Sequence, residues 1–115
     1  MISESAKYRT DIIMSDSVLI YKFQAYFTLS KNNIKINYTF KETKYFSDIL
    51  KRLVNEKEGT ICINYSFIKD VILENDSLYF SIIYPNCNNI VDMKIGKVMK
   101  KVFLSCVELK NNEID

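Results

Sequence analysis

The chain has 115 residues, 48% of them hydrophobic and 26% charged, with a formal net charge of +2 at pH 7. That length and balance describe one ordinary folded domain and exclude a largely disordered chain. The near-neutral total gives no argument for nucleic acid, and the absence of histidine removes the commonest catalytic base and metal ligand.

Composition also carries a hint of source. Fourteen lysines stand against two arginines, and Ile, Asn and Tyr are abundant while Gly and Pro are nearly absent. AT-rich codons encode the favoured residues, so an AT-rich genome is inferred: a low-GC bacterium, its phage or a large virus. The three cysteines, at 62, 87 and 106, form no CxxC pair, and free thiols suit a reducing cytoplasm. "MISESAKYRTDIIMSDS" has charges and no apolar stretch of the signal-peptide kind. No run of about 18 apolar residues marks a membrane span.

Residues 1–11 read as a mobile end. In "VLIYKFQAYFTL" (18–29) every odd position is apolar, and the even ones include Lys22, Gln24 and Thr28. Period two predicts a strand with one buried face. "KNN" turns the chain, and "IKINYTF" (34–40) alternates again, giving a hairpin. The period then changes: Phe46, Ile49, Leu50, Leu53 and Val54 share one helical stripe, with Thr43 as N-cap and Gly59 as stop.

Strand patterning returns in "TICINYSF" (60–67) and in the short "KDVIL" (69–73). It continues in "LYFSIIY" (78–84) and "IVDMKI" (90–95). "ENDS" and "PNCNN" are turns by composition. From 97 to 110, Met99, Val102, Phe103, Cys106 and Val107 form a second helical stripe, and 111–115 read as a mobile tail. The expected fold is a single α+β domain over 1–115. It is a two-layer sandwich, with a mostly antiparallel sheet of about five or six strands and both helices on one face.

No catalytic set stands out. Cys87 has no base or cation among its neighbours from 84 to 92, and "YPNCNN" is explained by turn chemistry. Cys62 and Cys106 fall at packing positions. No cysteine pair has zinc spacing, no acidic run matches a calcium loop, and Gly59 and Gly96 stand too far apart for a phosphate cradle. The expectation is therefore a non-enzyme with no metal or cofactor.

Two surfaces remain. Lys22, Gln24, Tyr26, Lys35, Asn37, Asn64, Tyr79, Ser81 and Lys94 are assigned to the polar sheet face. Tyrosines among lysines could stack bases, though strand propensity alone also puts Tyr there. The second surface is a charge polarity: Lys94, Lys97, Lys100 and Lys101, with Lys97 and Lys101 as helical i, i+4 neighbours, against Asp70, Glu74 and Asp76.

These features point first to a cytoplasmic protein-binding domain that blocks a partner: an immunity protein, an antitoxin, or a phage or viral inhibitor. Nucleic-acid binding by the sheet face or the 94–101 lysines is the alternative. A third reading is a homodimer formed through a strand edge. No membrane partner is expected.

Overall fold

The computed structural model describes residues 8–16, 19–38, 48–55, 57–85 and 90–114; for 48–50 and 113–114 it describes the backbone only. Its strands are β1 (Tyr8–Ser15), β2 (Ile20–Leu29), β3 (Asn33–Asn37), β4 (Val54–Asn55), β5 (Thr60–Asn64), β6 (Ile68–Glu74), β7 (Ser77–Ile83) and β8 (Ile90–Ile95). The helices are α1 (Asp48–Leu53) and α2 (Lys100–Ile114), and a 3-10 turn spans Tyr65–Phe67. All eight strands form one antiparallel sheet in the order β4-β5-β3-β2-β1-β8-β7-β6.

Alternation along each strand makes the inner face. Val54, Ile61, Ile36 and Phe27 lie side by side across β4, β5, β3 and β2. Ile12, Ile95 and Leu78 do the same across β1, β8 and β7. Apart from half-buried Val54, each of these side chains is almost wholly removed from water. Truncating Phe27 to Ala should cost about 3–5 kcal/mol by lost transfer energy and cavity formation.

The connection from β5 to β6 dictates the shape. Those strands lie six steps apart in the sheet, roughly 29 Å if it were flat. Yet only the 3-10 turn joins Asn64 to Ile68, a reach of at most about 14 Å. The sheet must therefore curl until its two margins approach. Contacts across that seam agree: the Arg52 guanidinium of α1 sits 5.5 Å from the ring centroid of Tyr84, which follows β7. Phe67 of the 3-10 turn meets the same tyrosine at 4.7 Å, tilted by 31°. Helix α2 lies against the 3-10 turn and β6, and its Val102 and Cys106 enter the core.

Local chemistry sets the turns. Asn75 and Asp76 both have positive φ, 50° and 62°, and close the β6–β7 hairpin as a type I′ turn. Gly59, at φ 65°, supplies the left-handed residue before β5. On β6, Asp70 and Val71 together oppose Phe80 in a bulge, with Asp70 at φ 58°.

This architecture corrects the expected sandwich. Among the described residues the sheet has eight strands rather than five or six, and α2 is the one helix longer than six residues. Two helices do not line one face. The stripe through Val54 fails because Val54 leaves α1 to pair with Ile61 in β4, where a β-branched side chain is well suited. Leu53 is buried as expected; Phe46 and Thr43 lie outside the described residues, as does the side chain of Leu50. Residues 8–11 are strand, and 111–114 continue α2. In α2, Val102 and Cys106 are buried, Phe103 and Val107 are half-buried, and Met99 precedes the helix at 56% exposure.

Candidate functional site

The outer face of the curled sheet is built by the same alternation. Where the alternation is regular, side chains flanking a core residue point outward, although Thr28, Thr60 and Ser77 are themselves buried. Register places Lys22, Ile13, Lys94, Tyr79 and Ile72 in one row across β2, β1, β8, β7 and β6. The next row holds Ile20, Ser15, Asp92, Ser81 and Lys69. Ile83 and Ile90 pair beyond it. The outer face therefore collects Ile13, Ile20, Ile72, Ile83 and Ile90 among polar neighbours.

Three of these isoleucines are well exposed: Ile20 at 66%, Ile90 at 51% and Ile72 at 48%. Charged groups on this face are held in defined places. Lys94 Nζ lies 5.7 Å from the ring centroid of Tyr79, and the Arg9 guanidinium lies 5.5 Å from that of Tyr26. Each pair combines a cation with the negative face of a ring. Arg9 also donates to Gln24 Oε1 at 3.2 Å, and Ser81 Oγ donates to Asp92 Oδ1 at 2.8 Å.

The sequence-assigned polar face lies together. Tyr26 pairs with Asn37 and Tyr79 with Lys94, while Lys35 opposes Cys62. The isoleucines among these residues were not anticipated. Their signal was present: Ile20, Ile72 and Ile90 occupy the polar phase of alternating strands, where hydrophobic residues have no core to enter.

The charge polarity is arranged differently. Lys94 belongs to the outer face. Lys97 has φ 49° in the turn after β8 and is not helical, so the i, i+4 relation with Lys101 does not exist. Lys100 and Lys101 occupy the first turn of α2 and are exposed. Asp70 stands on the β6 bulge, Glu74 ends β6 and Asp76 is in the hairpin turn, all exposed. The Val98 N–H donates to the Asp76 carbonyl at 2.7 Å, bringing that acidic turn beside the lysine segment.

Two cysteines can be placed. Cys62 is half-buried, and Cys106 is fully buried. Burial pushes the Cys106 thiol up to about 12 from its ordinary 9.0, against a smaller opposing pull from Lys110. Burial likewise raises the Tyr65 phenol well above its usual range, with Cys106 adding to the shift. The Tyr65 hydroxyl donates to the Ser30 carbonyl at 2.9 Å. Cys87 lies outside the described residues.

Among the described residues no helix is long and apolar enough to cross a membrane. Compared with known proteins, the chain matches no family model and no curated sequence.

Proposed function

We propose that this chain is a non-catalytic binding domain that holds an acidic partner protein on the outer face of its sheet. The observation carrying this reading is the set of exposed isoleucines, Ile20, Ile72 and Ile90, which the strand register places among polar neighbours on the outer surface of the sheet. Exposed apolar side chains grouped among polar ones are the usual composition of a protein-binding surface.

Charge selects the partner. Arg9, Lys22, Lys35, Lys69 and Lys94 share this face with fewer acids, Asp11, Glu74 and Asp92. A second copy would oppose its own lysines, whereas an acidic surface would be attracted. Edge pairing has no part in this reading, because the bulge and Asp70 interrupt the exposed edge of β6. A cytoplasmic blocking role, as in an immunity protein, an antitoxin or a phage or viral inhibitor, follows from covering a partner's surface.

The Arg9–Tyr26 and Lys94–Tyr79 pairs favour a second reading, a platform for single-stranded nucleic acid. One salt series separates the two. The immobilised chain is used to recover a partner, which is then purified and bound to wild type and to Lys22→Glu/Lys94→Glu beside a random oligonucleotide. The protein reading expects weaker binding of that one partner and weak, unchanged retention of DNA. Loss of DNA binding across sequences, with the salt slope falling by about one per lost phosphate contact, would replace it with the second.

A further inference from the structure

We infer that α2 carries a second interface, through which two copies of this chain pair by packing their α2 helices antiparallel about Leu104. The helix is buried on one side only. Val102 and Cys106 enter the core, whereas Lys100, Leu104 and Glu108 are exposed. At about 100° per residue, Leu104 stands about 160° around the helix from Cys106, so it faces away from the core. Spacings of four put Lys100, Leu104 and Glu108 on one ridge, with half-buried Val107 beside Leu104. None of the four belongs to the outer-face rows of the sheet.

The charges along this ridge choose its occupant. Within α2, Lys100 has Phe103 and Leu104 at i+3 and i+4. Glu108 has Leu104, Ser105, Asn111 and Asn112 at its equivalent positions. Neither finds an opposite charge at helical spacing in its own helix. A two-fold axis at Leu104 sets Lys100 of each copy opposite Glu108 of the other, so two reciprocal ion pairs flank a contact between the leucines. A parallel arrangement would set lysine against lysine and glutamate against glutamate. An acidic protein or an anionic lipid surface would attract Lys100 and repel Glu108 from the same ridge. The signs along the ridge fit their own reverse.

Size limits the strength of the pairing. α2 has 15 residues, a length of about 22 Å. One helix pair of that length buries less than the roughly 800 Å2 per partner of a standard interface. A weak dimer follows, with Kd on the order of 100 μM.

Sedimentation equilibrium tests this, in reductant and about 50 mM salt, over about 10 to 500 μM chain. The apparent mass should climb with concentration from that of one chain towards that of two. Leu104→Glu, at an exposed position, should stay monomeric throughout. Lys100→Glu and Glu108→Lys should each weaken pairing about tenfold or more, because each sets like charges opposite one another at both reciprocal contacts. Mixed in equal amounts, those two variants should regain the dimer, because every contact then joins opposite charges. A wild type that stays monomeric at the highest concentration would overturn the inference. If that monomer binds phosphatidylserine vesicles and Leu104→Glu does not, the ridge is a lipid-binding face instead. A dimer undiminished in Leu104→Glu, or no recovery in the mixture, would also overturn it.

Discussion

The Val98 amide donates to the carbonyl of Asp76 at 2.7 Å, tying the entry to α2 onto the tip of the β6–β7 hairpin. This bond brings the hairpin turn that carries Asp76 next to the segment carrying Lys97, Lys100 and Lys101. These lysines also sit badly for the helix they open: the first turn of α2 has no acid, and cations oppose the positive end of the helix dipole. Lys100→Glu/Lys101→Glu should therefore stabilise the fold by about 0.5–2 kcal/mol and change partner affinity by less than about twofold. Urea unfolding and a binding titration check both.

The helix start is open to a second improvement. The Val102 and Phe103 amides both turn back to the Met99 carbonyl, at 2.9 and 3.1 Å, so Met99 holds the N-cap position. Its thioether cannot accept well from the first free amides, and the side chain is exposed. Met99→Asp should raise stability by about 1 kcal/mol, read as a higher urea midpoint at unchanged slope.

Tyr65 and Cys106 make stability fall in alkali. Both keep their protons in the folded chain while the unfolded chain releases them near 9.0 for the thiol and 10.0 for the phenol. Above those values the unfolded state binds fewer protons, so the contribution is complete below pH 9 and shrinks as pH rises. The slope should reach about 1.4 kcal/mol per pH unit for each group. Tyr65→Phe should cost about 1–2 kcal/mol at pH 7, through the lost bond to the buried Ser30 carbonyl. It should also flatten the decline above pH 10. Denaturation curves from pH 7 to 11 test the pair.

Thiol access follows the same burial. Native protein should react at Cys62, and Cys106 should react only on unfolding. Rapid native labelling of Cys106 would show that α2 leaves the core far more readily than its buried Val102 and Cys106 suggest.

Much of the strand pattern was legible locally. Alternation located β2, β3, β5, β7 and β8 within a few residues, and the helical period located α2. β1 was missed because Ile12 and Ile13 stand together and Thr10 falls on the inner phase, which blurs the contrast in "YRTDIIMS". β4 has two residues, too few for any period. The curl was not legible because it depends on which distant strands pair, and no local window holds the β5–β6 link together with the six steps it must bridge. The outer face was half legible: alternation put its lysines and tyrosines on one side of the sheet, as the strand register does. The isoleucines between them were not legible, since Ile13 lies on the unread β1 and the others look like strand hydrophobics.

The central claim is that exposed isoleucines on the outer face bind a partner protein. It is tested most directly by measuring the purified partner's affinity for wild type and for Ile20→Glu/Ile90→Glu. Both residues are largely exposed in the free chain, so the thermal midpoint should shift little. The account predicts a loss of affinity of about 100-fold or more, as for a buried hot spot turned into an unpaired charge. An affinity unchanged by both substitutions, in a variant that unfolds like wild type, would contradict it.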